Sequence, residues 1–245
     1  MSAAGSVPAA GWHDVECGSY RADLGLWREL ADAEGGTVLE VGAGSGRVAL
    51  ELAGAGHEVV ALDRDAELLA VLRRRAEQRG LSVATLVADA RRFDTGRRFA
   101  LVIAPMQTLQ LLGGAAGRAR FLTRARAHLR PGGLLAAAVA DAVQPWASGD
   151  SPPPAPDEGR VDGWLLQSQP VAIRALPEGM RIERIRRARS PDGVLRAEAD
   201  AIVLEHVERD GLEAELHAAG LHPLPARSIA PTAEHVGSLV VLARA

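Results

Sequence analysis

Short apolar runs and longer stretches of helical spacing take turns along most of this chain. Val38, Leu39 and Val41 form a compact run that reads as a buried strand, interrupted only by Glu40. Gly42, Gly44 and Gly46 follow as a tight turn, and helical spacing begins at Arg47. Residues 57–63, His-Glu-Val-Val-Ala-Leu-Asp, read as a second strand ending on an acid, with a long helix over 65–79. A third strand over 81–91 ends Ala-Asp-Ala, and a fourth over 99–105 runs into a turn at Pro105, Met106 and Gln107. From Leu129 onward the chain has the form of a helix end, a tight turn and a fifth strand. Alternation of this kind predicts an α/β domain.

The pattern changes after the fifth strand. Residues 151–159, Ser-Pro-Pro-Pro-Ala-Pro-Asp-Glu-Gly, are expected to form neither helix nor ladder. Beyond them 163–173, 180–189 and 194–207 read as strands, the last two joined by a hairpin turn at Ser190, Pro191, Asp192 and Gly193. This predicts an antiparallel insertion over about 160–207. A helix and a strand near 212–222 and an apolar run over 237–244 close the chain. Residues 1–11 read as a flexible tail, and 12–245 as one domain made of a core over 36–141, the insertion, and closing elements over 208–245.

The turn after the first strand carries most of the chemistry. Its spacing is Glu-x-Gly-x-Gly-x-Gly, whereas a dinucleotide site shows Gly-x-Gly-x-x-Gly. Glycines there bring backbone N–H groups and a helix start close to a ligand. Glu40 adds a carboxylate, which disfavours a pyrophosphate and suits a ligand carrying positive charge. An acid at the end of the second strand, Asp63, stands where nucleotide-binding α/β folds hold a ribose.

These motifs, in this order, resemble those of the class I methyltransferases that use S-adenosylmethionine (SAM), from about Tyr20 to the C-terminus. The resemblance implies a doubly wound, seven-strand, mostly parallel sheet with an antiparallel β insertion after the fifth strand. It also implies that Glu40 and the turn Gly42, Ala43, Gly44, Ser45 and Gly46 hold the methionine part of SAM. Asp63, with Arg64 beside it, would take the ribose hydroxyls, and Asp89 with Ala90 the adenine. Pro105 and Gln107 would line the space between cofactor and acceptor. An N-terminal helix over the cofactor would make Tyr20 a lid residue. In small-molecule members an insertion of this kind walls the acceptor pocket; here it could instead cover a sheet edge or make a dimer contact, so a homodimer stays open.

Each site residue has a plainer competitor. Asp63 could cap the following helix, although Asp65 is better placed for that. Asp89 could be an ordinary turn residue. Gln107 either touches substrate or closes its turn. If the acceptor needs a base, the candidates are Tyr20 and His206, with His13, Asp14 and Glu16 behind them; His206 alternates with Ile202 and Leu204 and so falls on their strand face, where a histidine is commonly structural.

Composition narrows the reading further. The chain has 245 residues and is 47% hydrophobic, enough for one substantial core. Net charge is −3, no residue is lysine, and arginine runs such as 73–75 read as solvated faces, so a nucleic-acid partner is not expected. No apolar run approaches the ~20 residues of a membrane span, the start lacks a signal-peptide pattern, and Cys17 is the single cysteine, which together point to the cytoplasm. The fourth strand ends without the acid of metal-dependent catechol-type enzymes, without a Pro-Cys pair, and without the Asn/Asp-Pro-Pro-aromatic loop of nucleobase amino methylation. What survives is metal-free methyl transfer to nitrogen or oxygen of a small molecule. The competing classes are an NAD-dependent oxidoreductase, which a chain with no lysine and one tyrosine suits poorly, another use of SAM such as aminopropyl transfer, and a non-catalytic SAM-binding partner subunit.

Overall fold

The computed structural model describes residues 6–140, 143–147, 154–232 and 235–245. In chain order the first elements are α1 (Gly11–Cys17), α2 (Leu24–Glu34), β1 (Val38–Val41), α3 (Arg47–Gly54), β2 (Val59–Asp63), α4 (Ala66–Gln78), β3 (Val83–Val87) and β4 (Phe99–Ala104). A short 3-10 turn (Thr108–Leu111), α5 (Gly114–His128) and β5 (Leu129–Val139) follow. Then come β6 (Trp146–Ala147), β7 (Asp157–Val161), β8 (Trp164–Leu176), β9 (Gly179–Arg189), β10 (Leu195–Glu205), α6 (Arg209–Ala218), β11 (His222–Ile229) and β12 (Ser238–Arg244).

The chain divides into two compact units, one of residues 1–20 with 143–204 and one of 21–142 with 205–245. The sequence reading kept 12–245 as one domain. Residues up to Tyr20 group with the insertion instead, because the apolar face of α1 has its partners there: Val15 packs with Trp164, Leu166 and Ala188.

The larger unit holds a seven-stranded sheet in the order β11-β12-β5-β4-β1-β2-β3. β5, β4, β1, β2 and β3 run parallel, and β12 is antiparallel to both β5 and β11, as expected. Every residue of β1 and β4 is buried, which is why β4 reads as a continuous apolar run and β1 as one interrupted only by Glu40. Leu39 and Val41 pack on one face with Phe121 and Leu122 of α5 and Leu212 and Leu216 of α6. Strand alternation therefore turns Glu40 to the opposite face. Asp65 caps α4, its Oδ1 accepting from the N–H groups of Glu67 at 2.9 Å and Leu68 at 3.1 Å.

The smaller unit is a five-stranded sheet, β10-β9-β8-β6 with β7 also paired to β8. The hairpin turn at 190–193 forms as expected, with Gly193 at φ 88° and its N–H donating to the Ser190 carbonyl. Two readings need correction. Asp157, Glu158 and Gly159 belong to a ladder, since the prolines end at Pro156 and the residues beyond it can pair with Ser168, Gln167 and Leu166; residues 151–153 lie outside the described residues. The end of the expected tail is ordered, because Ala10 and Gly11 are buried and α1 starts at Gly11; residues 1–5 lie outside the described residues.

Gly117 of α5 marks the tightest approach in the larger unit. A Cβ there would stand 1.7 Å from the Leu112 carbonyl oxygen, a backbone atom that cannot swing away. Gly117→Ala is expected to destabilise the protein by about 1–3 kcal/mol or more through overpacking, read as a lower midpoint in urea with the m-value unchanged.

Candidate active site

Four strands deliver the sequence-predicted cofactor residues to one edge of the large sheet. In the register, Glu40 pairs with Ala61 of β2 and Ile103 of β4, and Asp63 with Val87 of β3. The glycine turn after β1, Asp63 at the end of β2, Asp89 after β3 and Pro105 after β4 therefore all leave from the carboxyl ends of neighbouring strands. The strand order reverses between β1 and β4, which is where open α/β sheets form their ligand crevice.

Glu40 is the central charge. It is 2% exposed, and its Oε2 has no hydrogen-bond partner among the described residues. Burial raises its pKa to about 8; the Arg47 charge and the Ala49 N–H oppose that rise, while the charges of Asp23 and Asp63 add to it. A buried carboxyl with one empty oxygen is the arrangement a ligand cation would complete.

The glycine turn works differently from a phosphate cradle. Gly42 and Ala43 both donate to the Leu62 carbonyl, Gly44 to Asp63 Oδ2 at 2.8 Å, and Gly46 to the Ala43 carbonyl. These amides are spent inside the protein, so the turn offers room, where the sequence suggested bare N–H groups. Gly42 sits at φ 75° and a Cβ on it would meet Thr108 Oγ1 at 2.6 Å. Gly46, at φ 96°, would collide with Leu72 at the same distance. Ala43 and Ser45 are buried.

Asp63 is built into this turn. Its Oδ2 accepts from Gly44 and its Oδ1 from the Asp65 N–H at 2.9 Å, while Asp65 itself caps α4. Arg64 beside it is exposed. Asp89 is held by Arg91, which donates from its backbone N–H at 2.9 Å, from Nε at 2.9 Å and from Nη2 at 2.7 Å. Those bonds to Arg91 hold the Asp89 carboxyl far below the usual carboxylate range. Ala90 is half-buried against the core. Past β4, Pro105 is buried and Met106 adopts φ 55°, a left-handed conformation that costs a non-glycine residue about 1–3 kcal/mol. Gln107 closes the turn with its carbonyl, which accepts from the Gln110 N–H at 2.9 Å.

The expected bases are divided between the two units. His206 is exposed and lies past the end of β10 at Glu205, so it does not share the strand face of Ile202 and Leu204. Tyr20 is buried and ends the N-terminal stretch of the smaller unit. Glu16 is consumed in an ion-pair cluster of that unit: it accepts from Arg186 Nε at 2.7 Å, Arg184 Nη1 at 2.8 Å and Ser168 Oγ at 2.8 Å. Burial alone would raise its pKa, but these partners outweigh burial and hold it below the ordinary value. A cleft of about 510 Å³ in the same unit, lined by Val7, Trp12, Arg186, Ala188, Arg196 and Glu198, contains none of the expected cofactor residues.

Sequence reasoning missed the groups that hold this edge together. Asp23, 1% exposed, takes both Nη atoms of Arg47, at 2.5 and 2.6 Å, and the Trp27 indole N–H at 2.8 Å. One signal was available: Arg47 opens α3, where the helix dipole disfavours a cation, so a buried acid should compensate it. Gln110 was missed too. Its amide donates to the carbonyls of Ala140 and Glu205 and accepts from the Ala140 N–H at 2.7 Å, tying together the two chain segments that flank the insertion.

Removing one member of the buried pair leaves the other charge stranded. Asp23→Ala is expected to cost about 3–5 kcal/mol, and Asp23→Ala with Arg47→Ala less than the sum of the singles, measured by denaturant unfolding. Glu40 gives a pH dependence of known sign. The folded protein keeps a proton that the unfolded chain, with an ordinary carboxyl near 4.5, releases. Stability of the ligand-free protein therefore falls as pH rises from about 4.5 toward 8. Melting curves across that range should show the fall, and Glu40→Gln should flatten it.

Known proteins share part of this sequence and this fold. Residues 38–133 match the family model described as a methyltransferase domain. The ubiquinone biosynthesis O-methyltransferase of Paramagnetospirillum magneticum is 31% identical over 115 residues, a match covering 46% of this chain and 45% of that protein; the aligned part is thus under half the length of that relative. Among solved structures, a SAM-dependent methyltransferase of Clostridium acetobutylicum aligns with TM-score 0.71 at 11% identity over 95% of each chain. The sugar N-methyltransferase KedS8 of a Streptoalloteichus species aligns with TM-score 0.72 at 20% identity, covering 100% of this chain and 96% of that one. With its sheet order, its acid-and-glycine turn after β1 and these matches, the chain carries a methyltransferase domain over residues 38–133 and has the fold of SAM-dependent methyltransferases.

Proposed function

We propose that this protein transfers a methyl group from SAM to a nitrogen or oxygen of a small molecule, without a metal, chiefly by holding donor and acceptor in line. The observation that carries the reading is Glu40: a buried carboxyl with an unpartnered oxygen, on an interior strand and beside a turn of positive-φ glycines. The ammonium of a methionine moiety is the counter-charge that oxygen lacks. When bound, SAM supplies a methyl group already activated by a positively charged sulfur.

The chain's own part is positioning and exclusion of water. Glu40 would release its proton to solvent and accept from the ammonium of the bound cofactor. Asp63, pinned by two backbone amides, keeps lone pairs for ribose hydroxyls while its carboxylate stays in one rotamer. Ala90 and Asp89 border the adenine, and Arg91 keeps Asp89 ionised there. The left-handed Met106 turns the chain after β4 so that Pro105 and Gln107 face the acceptor. For an acceptor that must lose a proton, Tyr20 and His206 are the candidate bases. The relative from Paramagnetospirillum is named for methylation at oxygen and KedS8 for methylation at nitrogen, so the acceptor screen includes amines, amino sugars and phenols.

The test is calorimetric titration with SAM and with S-adenosylhomocysteine, using NADH as the control. Binding of both adenosyl ligands without NADH is expected, and Asp63→Ala should weaken it by about 1–3 kcal/mol through lost charge-assisted hydrogen bonds. An unchanged affinity in that variant removes Asp63 from the site. Binding without turnover on any acceptor would favour a non-catalytic partner subunit.

A further inference from the structure

The outer edge of β10 has the features of a self-complementary pairing surface, and we infer that a second copy of this chain pairs with it antiparallel across a two-fold axis at Ala197. β10 is eleven residues long and stands at one end of the small sheet's order, with β9 on its inner side. Edge strands of this length are ordinarily guarded by lysine, proline, a bulge or a covering segment. Residues 193–201, Gly-Val-Leu-Arg-Ala-Glu-Ala-Asp-Ala, contain no lysine and no proline. Every residue from Val194 to Ala199 is exposed, Leu195 by 76%.

Backbone alternation says which groups point outward. The Ser190 N–H donates to the Val194 carbonyl across the hairpin at 2.9 Å, so Val194 and the even-numbered residues after it face β9. The N–H and C=O groups of Leu195, Ala197, Ala199 and Ala201 then face away from the sheet. An axis at Ala197 sets 197 opposite 197 and 195 opposite 199, all hydrogen-bonded pairs, for about six new backbone bonds. Between them fall Arg196 opposite Glu198 and Glu198 opposite Arg196, in the close non-hydrogen-bonded positions where opposite charges stabilise a ladder. Moving the axis to Glu198 sets two glutamates face to face, and moving it to Ala199 sets Glu198 against Asp200. Charge thus selects one register. On the other face the pairs are Leu195 with Ala199 and Ala197 with itself, small enough to let the strands approach.

This inference is independent of methyl transfer and is tested on the full chain by light scattering after gel filtration, over a dilution series. The expected mass is twice 25.7 kDa. Ala197→Pro removes an outward N–H that β9 does not use, so the fold stands while the dimer is lost. Arg196→Glu alone should also give monomer, and Arg196→Glu with Glu198→Arg should restore the dimer. In a Cys17→Ser background, Ala197→Cys should crosslink to itself on oxidation, because opposed Cα atoms at about 5.5 Å lie within disulfide reach, whereas Ala201→Cys, which faces Gly193, should not. A monomer at every concentration would overturn the inference. So would a dimer that survives Ala197→Pro with circular dichroism unchanged.

Discussion

One buried carboxyl organises the cofactor edge of this protein. Glu40 lies on an interior strand, turned away from the face that packs α5 and α6, with one oxygen lacking a partner. Such a group destabilises the ligand-free fold unless it holds a proton, and its raised pKa is that proton expressed as an equilibrium. Arg47 does not neutralise it outright, because both of its Nη atoms are committed to Asp23. Positive charge is therefore close enough to influence Glu40 and too occupied to satisfy it. Under the proposed function, that unpartnered oxygen is what the cationic end of the ligand would meet.

The surrounding geometry is fixed by groups that are already satisfied. The amides of the glycine turn bond to the end of β2 and to Asp63, and Asp63 bonds onward to the start of α4 through Asp65. Asp89 is locked by Arg91. Rigid acids around one unsatisfied acid make a preorganised site, in which little has to reorder when a ligand arrives. Methyl transfer from an activated donor asks for little more than this, which fits a site edge holding acids, glycines and an amide with no cluster of nucleophiles.

The insertion and the N-terminal stretch form a unit of their own, with a separate apolar cluster and a separate charge cluster around Glu16, Arg184 and Arg186. Its β10 edge carries alternating charge on one face and small residues on the other. That strand was legible as a strand from its period, but its position at an edge follows from sheet order, which a period of two does not encode.

The legible features were those written in local pattern. Buried parallel strands read as apolar runs, Asp65 as a helix cap, residues 190–193 as a hairpin turn, and the glycine spacing as a turn between strand and helix, because each depends on residues near one another in the chain. What the sequence left open depended on residues far apart. The bond of Asp23 to Arg47, the hold of Gln110 on Ala140 and Glu205, the loss of Glu16 to two arginines of β9, and the grouping of α1 with the insertion all join distant segments. His206 shows the same limit: alternation placed it on a strand face, and only the end of the ladder at Glu205 decided that it is exposed. Sequence by itself determined most of the elements and their order. Tertiary structure alone decided which polar groups were already spent, since a hydrogen bond or ion pair across the fold leaves no periodic mark on the chain.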